Sequence, residues 1–418
     1  MSVDLNSTPL FFSELKETIL PLSENEKKNS ISFLNENKLP TTRNEAWKYT
    51  RLAKLGKSKF ISSNSELESI DQYNIDPSAT TLVFVNGFFS EELSSNDCPN
   101  NLTWSLLSQK NKIEETISDE SEYFNCLNSA FLVEGVELNI ADKAIMKNPI
   151  QIIHVLNGDA IISNFRIVVN AGKSSEASII TGFFSENGDS QFSNVISEIN
   201  VAENAKLTMD KIQYETESTF HISTEKVKQA RNSVFTINTA TLNGGLVRNN
   251  VVVDVDGENC NTHMNGAYLL KNKQHVDNHT LVNHNVPNCD SFELYKGVMD
   301  DKSTAVFNGK VIVHKDAQKI NAFQSNGNVL ISDDATVNSK PELEIFADDV
   351  KCSHGSTTGQ LDDEAIFYLQ CRGLSKKSAH QLMVSAFIGE VLEKFENENV
   401  RTYINGLLKS RFNWDYVS

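Results

Sequence analysis

The sequence has 418 residues, enough for two or three domains, and it carries 38 basic against 55 acidic side chains, a net charge of −17. This acidic balance argues against nucleic acid and anionic membranes as the main partners. No stretch approaches the ~20 apolar residues that a membrane span needs. The first residues also lack the charged and apolar regions of a signal peptide.

The cysteines show no spacing typical of a disulfide framework, and no two of them form a C-x-x-C pair. We therefore expect a soluble protein of a reducing compartment, the cytoplasm. The six cysteines are Cys98, Cys126, Cys260, Cys289, Cys352 and Cys371.

Residues 1–134 form a mixed, mostly helical first region. FFSELKETIL (11–20) has one apolar face and is followed by Pro21, which predicts a first helix. Trp47 lies in a charged segment and is expected to anchor the packing of this region. Further on, residues 80–89 predict a strand and a turn, and residues 101–109 and 121–132 predict short helices.

Residues 135–350 contain many short segments rich in Val and Ile, each bounded by Asn, Asp or Gly. No amphipathic helix interrupts them, which disfavours an alternating α/β sheet. Similar turns recur in VAENAKLTM (201–209), HKDAQKINA (314–322) and SDDATVNSK (332–340). A sandwich of this length would be unusually large, whereas a solenoid grows by stacking coils. The sequence therefore predicts a mainly β protein whose core is a right-handed parallel β-helix of eight to ten coils.

Residues 351–418 predict a helical C-terminal region. Met383, Phe387, Val391 and Phe395 recur every four residues, and neighbouring apolar residues widen the stripe. Gly389 in mid-helix indicates that another helix approaches closely there. Such a stripe needs a partner surface, either within the chain or on another subunit.

A dense group of possible ligands lies between residues 263 and 289. If the segment is a strand, His275, Asp277 and His279 alternate onto one face, where they could hold zinc or iron or contact a substrate. Polar ladders of this kind also stack in solenoids for structural reasons alone. The sequence leaves both alternatives open. The group comprises His263, His275, Asp277, His279, His284 and Cys289.

Cys352 and His354 stand two residues apart in KCSHGSTT (351–358), a polar segment containing Gly355. The polar neighbours favour an accessible loop. The two residues could begin a metal site, form a nucleophile and its base, or be a buried thiol and a hydrogen-bonded imidazole at a domain junction. Two ligands are too few for a closed metal site, so the remainder would have to come from elsewhere.

The sequence offers no motif for ATP hydrolysis or for a hydrolase. The G-K-S at 172–174 lacks the glycine that a phosphate-binding loop requires five positions earlier, since residue 167 is Ile. Neither a nucleophile elbow nor an H-E-x-x-H motif is present.

Several long segments resemble the SufB/SufD family of the SUF iron–sulfur cluster assembly machinery. The segments are residues 39–50 (LPTTRNEAWKYT), 269–313 and 343–373 (LEIFADDVKCSHGSTTGQLDDEAIFYLQCRG), together with the closing amphipathic helix. Leu369 stands where SufB carries its cluster-bearing cysteine, and Cys371, two positions later, should not inherit that role. The pattern is that of the SufD branch of the family.

The resemblance implies a non-catalytic scaffold in a SufB–SufC–SufD complex, with a parallel β-helix that pairs with that of SufB. A nascent cluster would be shared at that interface, with His354 as the ligand from this chain and Cys352 as a candidate second contributor. The chain would hold no tightly bound cofactor of its own.

The resemblance also implies that the C-terminal helices bind the ABC-type ATPase SufC, so that ATP acts only through SufC. Ser378, Met383, Phe387 and Val391 are the candidate contacts. Two alternatives remain open: a β-helix carbohydrate-active enzyme, and a homodimer with a shared His/Cys metal site and no SufB. His275 and His279 are weaker candidate metal ligands.

Overall fold

The computed structural model describes Leu15, Leu20 and residues 24–95, 97–110, 122–186 and 188–412. The helix predicted over residues 11–20 therefore lies outside the described residues, apart from these two leucines. Within the described chain, helices occupy both terminal regions and strands form the centre.

The α-helices are α1 (Glu24–Glu36), α2 (Tyr123–Ala130), α3 (Asp363–Cys371), α4 (Lys376–Leu392) and α5 (Glu398–Phe412). The strands of the first half are β1 (Thr80–Val85), β2 (Phe88–Ser90), β3 (Leu102–Leu106), β4 (Glu134–Ile140), β5 (Ile150–Leu156), β6 (Ile162–Ala171), β7 (Glu176–Ser185), β8 (Gln191–Val201) and β9 (Lys206–Tyr214). The remaining strands are β10 (Thr219–Gln229), β11 (Val234–Asn243), β12 (Leu246–Val255), β13 (Asn261–Leu270), β14 (His275–His284), β15 (Asp290–Met299), β16 (Thr304–Val313), β17 (Ile320–Leu330), β18 (Thr336–Ile345) and β19 (Val350–Gly359).

Two sheets run the length of the molecule and take their strands alternately from the chain. One has the order β19-β17-β15-β13-β11-β9-β7-β5-β1-β2, and the other has the order β18-β16-β14-β12-β10-β8-β6-β4-β3. We call the first the odd-numbered sheet and the second the even-numbered sheet, after their strands from β4 onward. From β4 to β19 each coil contributes one strand to each sheet, which gives eight coils. The prediction of a mainly β, parallel β-helical fold is confirmed, with a coil count inside the predicted range.

Asparagines hold the same corner of successive coils. Asn204, Asn232 and Asn259 all have φ near 60°, a left-handed conformation that asparagine tolerates better than most residues. Their side chains also form a ladder, since Asn232 Nδ2 donates to Asn204 Oδ1 at 2.9 Å and Asn259 Nδ2 donates to Asn232 Oδ1 at 3.1 Å. The recurrent Asn-rich turns of the sequence are therefore the repeated corners of the solenoid.

Side chains of the same kind stack inside the solenoid because consecutive coils pair in register, apart from a shift between Thr241 and Asn243 where β11 pairs with β9. Ile179, Met209, Ile237 and Met264 are successive partners on β7, β9, β11 and β13. All four are buried in the main hydrophobic core. In-register pairing of β-branched and long apolar side chains removes their surface from water, which supplies the main driving force for stacking.

The N-terminal region packs on the outer face of the even-numbered sheet. Arg166 of β6 reaches out to Glu26 of α1, with Nη1 and Oε1 3.0 Å apart, and Trp47 is buried against Phe124 of α2. The prediction of Trp47 as a packing anchor is confirmed. The helix predicted over residues 101–109 is wrong, because residues 102–106 form β3, which pairs antiparallel with β4.

The C-terminal helices α4 and α5 cover the outer face of the odd-numbered sheet. Val384, Ile388 and Leu408 are buried there with Leu269 and Val298 of the sheet. Another helix does not approach Gly389, since nothing lies within 4 Å of the position that a Cβ would occupy, so that prediction is wrong. No α-helix in the described part of the chain is both long enough and apolar enough to cross a lipid bilayer.

Candidate functional site

Cys352 and His354 lie on β19, the terminal strand of the odd-numbered sheet. The prediction of an accessible loop here is wrong, because β19 pairs in parallel with β17 along its length. β18 is the terminal strand of the other sheet and pairs with β16. In the described chain the solenoid thus ends in two strand edges with no further neighbour, and we call this the open end.

Both side chains belong to the interior face of the solenoid. Cys352 is half-buried against the main core, and its register partner Ala322 is part of that core. Side chains alternate between the two faces of a strand, so His354, two residues on, projects from the same face. Its register partner Gln324 is buried inside the solenoid. His354 is nevertheless exposed, because no further coil covers it.

The interior column that ends at His354 changes from apolar to polar. Met264, Glu293, Gln324 and His354 are successive register partners on the last four odd-numbered strands. Thr280 Oγ1 donates to Glu293 Oε2 at 2.5 Å, and Gln324 Nε2 donates to Glu293 Oε1 at 3.0 Å. Burial raises the pKa of Glu293 to about 7, although both hydrogen bonds act to lower it. The column therefore leads from a titratable carboxyl to the exposed imidazole.

Gln324 keeps one polar atom without a partner. Its Oε1 is buried and accepts no hydrogen bond in the described chain, which is costly for an amide carbonyl. Since Nε2 is engaged by Glu293, the carbonyl oxygen is the atom that remains for the next coil. The residue at that register position is His354.

A second set of polar side chains lines the same end of the interior. Asn326 Nδ2 donates to Tyr268 Oη at 3.0 Å, and Asn326 Oδ1 accepts from Ser339 Oγ of β18 at 2.8 Å. Ser356 Oγ of β19 donates to Ser339 Oγ at 2.7 Å. These contacts tie the two terminal strands together and make the mouth of the solenoid hydrophilic.

The chemistry available to Cys352 and His354 is that of two ligands rather than of a nucleophile and its base. Burial raises the pKa of the Cys352 thiol, and no hydrogen bond joins the thiol to His354 in the described residues, so His354 is not placed as its base. Sulfur and imidazole nitrogen are suitable ligands for iron and zinc. Across the described residues, no three His, Cys, Asp or Glu side chains are arranged to hold a metal ion. The open end carries an incomplete ligand set.

His275, Asp277 and His279 share one face of β14, as their alternation predicts, but their polar atoms bind the N-terminal region. Arg248 Nη1 lies 2.8 Å from Asp277 Oδ2, His279 Nε2 lies 2.9 Å from Asp277 Oδ1, and Thr50 Oγ1 donates to Asp277 Oδ2 at 2.5 Å. Thr50 Oγ1 also lies 2.8 Å from His275 Nε2.

The charges around Asp277 fix its protonation state. Burial acts to raise the pKa of Asp277, but the Arg248 guanidinium and the His279 imidazole outweigh burial and hold that pKa well below its ordinary value. A permanently ionised carboxylate, paired with arginine and bonded to Thr50, suits the structural alternative, in which this cluster fastens residues 45–50 to the solenoid.

The other residues of the 263–289 group lie apart from one another. His263 stacks on Phe292 at the outer face of the odd-numbered sheet, with ring centroids 5.2 Å apart. His284 is buried, with Nε2 2.9 Å from Ser291 Oγ, and burial lowers the pKa of His284 to about 4. Cys289 occupies a buried corner between coils. The sequence group does not form one site in this structure.

The apolar stripe of α4 has its partner within the chain. Val391 is fully buried, and Phe387 is half-buried with its ring 4.7 Å from Lys296 Nζ of β15. Of the two alternatives for the partner surface, one within the chain therefore applies to much of the stripe, and Val391, a candidate SufC contact, is not exposed here. Ser378 and Met383 are partly exposed, and a binding role for them stays a prediction.

Residues 369–371 lie in α3, outside the solenoid interior. Leu369 is partly exposed and Cys371 is exposed, and that Cys371 has no cluster-binding role stays a prediction.

Sequence reasoning missed Gln324 and Glu293. Each follows a phenylalanine that points outward, Phe292 or Phe323, so simple alternation assigns these residues to the solvent face. Comparison of successive coils offers a signal, because Met264 of the preceding coil is followed by Glu293 and Gln324 at the same position.

Comparison with known proteins agrees with this architecture. The model of the SufBD core domain of the SUF iron–sulfur cluster assembly system matches residues 154–387, which include Cys352 and His354. The chain is 30% identical over 372 residues to the iron–sulfur cluster assembly protein SufD of Escherichia coli strain K12, covering 88% of each protein.

Two further relatives span a similar share of the chain. A SufBD family protein of Synechocystis, slr0076, is 31% identical over 393 residues, covering 88% of this chain and 87% of the relative. The chloroplastic protein ABCI7 of Arabidopsis thaliana is 29% identical over 392 residues, covering 88% and 82%. The chain belongs to the SufBD family of iron–sulfur cluster assembly proteins.

Proposed function

We propose that this chain is a non-catalytic scaffold subunit of a SufB–SufC–SufD complex and that it contributes His354 to a nascent iron–sulfur cluster. The observation that supports this most is the position of Cys352 and His354 on the interior face of the terminal strand, where no coil covers them. A half-built ligand set at an open strand edge is the arrangement that a second protein can complete.

The partner we propose for the open end is a SufB-like paralogue with a solenoid of its own. β18 and β19 each present one row of backbone N–H and C=O groups, which another strand can pair with in the plane of either sheet. Such pairing would continue the stack and enclose the polar mouth. The sulfur ligand from the partner and the imidazole from this chain would then face the same space.

For SufC we propose a site on the exposed surface of the C-terminal helices. Phe367 and Tyr368 of α3 and Leu382 of α4 are large apolar or aromatic side chains that the chain itself leaves exposed. Exposed groups of this kind mark protein contacts. ATP would act on the complex through SufC, because no phosphate-binding loop is present in this sequence.

The test is a cell that depends on this chain for iron–sulfur maturation and carries His354→Ala. We expect the variant to co-purify with SufB and SufC as the wild type does, and to lose most of the activity of a cluster-dependent reporter enzyme. His314→Ala is the matched control, since His314 is an exposed histidine of the turn after β16.

Two outcomes would contradict the proposal. Normal maturation with His354→Ala would remove the ligand role. A chain that forms only homodimers, and that binds neither SufB nor SufC when all three are co-expressed, would instead favour a self-paired metal-binding protein.

A further inference from the structure

Cys260 and Cys289 occupy the same corner of two consecutive coils. Each is the residue immediately before a strand, and the residues that follow, Asn261 of β13 and Asp290 of β15, are register partners. The amide of Asp290 donates to the carbonyl oxygen of Cys260 at 2.9 Å, so the ladder extends to the cysteines themselves. Adjacent strands lie ~4.8 Å apart, a separation within the Cα range of disulfides.

The two sulfur atoms converge on one another. Cys260 Sγ lies 3.0 Å from the carbonyl oxygen of Gly257, and Cys289 Sγ lies 3.4 Å from the same oxygen. Both side chains are buried, with 2% and 0% of their surface exposed.

The corner gives the two thiols unequal acidity. The neighbouring Cys289 thiol and Ser233 lower the pKa of Cys260 to about 6 against the opposing effect of burial. The neighbouring Cys260 thiol and burial raise the pKa of Cys289. Cys260 is therefore the more acidic of the two thiols, and the one that more readily supplies the thiolate that thiol oxidation requires.

Packing does not require a cysteine at this corner. Ala205 and Ser233 occupy the equivalent position in the two preceding coils, and the buried Ile320 occupies it in the following coil. Two stacked thiols that share one carbonyl acceptor add a chemical capacity that alanine, serine or isoleucine would lack.

We propose that Cys260 and Cys289 are a redox-active dithiol, which hydrogen peroxide converts to a disulfide joining two consecutive coils. The Cys260 thiolate attacks one peroxide oxygen, the O–O bond breaks, and the departing hydroxide takes a proton to become water. The Cys289 sulfur then attacks the sulfenic sulfur, the S–O bond breaks, and the second hydroxide leaves as water with the proton of Cys289. The two thiols supply the two electrons that reduce the peroxide.

The experiment uses the full-length wild-type chain, so no variant has to fold. The reduced protein is freed of reductant, treated at low concentration with excess hydrogen peroxide, alkylated in denaturant and digested with trypsin. Cleavage after Arg248, Lys271 and Lys273 places the two cysteines in separate peptides, residues 249–271 and 274–296. We expect a cross-linked pair of these peptides that has lost two hydrogens and that dithiothreitol separates.

The remaining cysteines serve as internal controls. Cys126 is buried in α2, and Cys98 and Cys371 are exposed. Cys289→Ser should abolish the cross-link and leave Cys260 as a sulfenic acid that dimedone traps. Recovery of both peptides fully alkylated after peroxide, or cross-linking of Cys260 to any other cysteine, would overturn the proposal.

Discussion

Gln324 of β17 and His354 of β19 are register partners on the interior face of the solenoid, one coil apart, and the carbonyl oxygen of Gln324 has no hydrogen-bond partner in the described chain. An imidazole that ligates iron through one nitrogen needs an acceptor for the N–H of the other. Gln324 Oε1 is placed to be that acceptor, and Glu293 holds the amide from behind.

We therefore predict that Gln324→Leu reduces cluster loading of the purified complex by ~10–100-fold, the usual effect of removing a group that orients a metal-bound histidine. The measurement is the visible absorbance of the cluster per complex after anaerobic reconstitution. Ser325→Ala is the matched control, because Ser325 is the next residue of β17 and is exposed on the outer face. Equal loading of Gln324→Leu and wild type would show that the amide does not support the ligand.

Because of the buried carboxyl of Glu293, we predict that the folded protein becomes less stable as pH rises. Its carboxyl releases its proton near pH 4.5 when unfolded but near pH 7 when folded, so between these values the folded state binds more protons. The folded protein then carries a buried charge above pH 7, at a cost of the order of 3 kcal/mol.

Glu293→Gln should remove that cost, since its carbonyl can still accept from Gln324. We predict that the variant is more stable than wild type at pH 8 and that the two converge below about pH 4.5. Urea unfolding at several pH values measures the difference. A difference in the free energy of unfolding between the two proteins that is the same at pH 4.5 and pH 8 would contradict the raised pKa of Glu293, because a packing effect without charge does not depend on pH.

The N-terminal region should depend on Arg166. Its guanidinium lies 3.0 Å from Glu26 of α1 and 3.8 Å from Glu198 of β8, and all three side chains are buried. Arg166→Met leaves two buried carboxylates without their cation, which should lower the free energy of unfolding by about 3–5 kcal/mol. Glu26→Gln should cost less, since Glu198 still balances the guanidinium.

A double-mutant cycle in urea measures this coupling. The double variant Glu26→Gln, Arg166→Met should lose less free energy of unfolding than the sum of the losses in the two single variants. Lys206→Met provides the comparison, because Lys206 and Glu176 form an exposed pair 3.9 Å apart that should contribute under ~1 kcal/mol. Simple additivity of Glu26 and Arg166 would mean that the pair contributes no coupling to the attachment of α1.

The class of fold could be predicted from the sequence because two sequence patterns agree over about two hundred residues. Val- and Ile-rich segments alternate with Asn-rich corners, and Asn204, Asn232 and Asn259 adopt the left-handed conformation that such corners need. Local preference and long-range stacking favour the same structure here, which makes the class of fold predictable.

The polar interior of the last coils could not be predicted from the sequence, because there the apolar residues of the alternating pattern face outward and the polar residues face inward. On β17, Phe323 is exposed on the outer face while Gln324 and Asn326 point inward. Register with the neighbouring coils decides which face is interior, and register is a property of pairing that a single segment does not carry.

The same reason explains the misassigned loop at Cys352. A terminal strand is held to the coil beneath it by backbone hydrogen bonds, which do not depend on the side chains. Residues 353–359 can therefore all be polar or glycine and still pair with β17. Edge strands are often made polar in this way, and their local sequence then looks like a loop.

Two exposed phenylalanines can distinguish the proposed contact with SufC from the proposed contact with SufB. Phe367 on α3 is 68% exposed, and Phe346 in the turn after β18 at the open end is 61% exposed. An aspartate at either site would place a charge in a contact that now offers an aromatic ring, at little cost to the fold because neither ring is buried.

We predict that Phe367→Asp lowers co-purification of SufC at least tenfold and leaves SufB bound, whereas Phe346→Asp weakens SufB and leaves SufC bound. Each variant is the control for the other, and unfolding in urea establishes that both are folded. Loss of both partners from one variant, with its stability unchanged, would mean that the two proteins bind as a preformed unit. Retention of both partners by both variants would place the contacts on other surfaces of the chain.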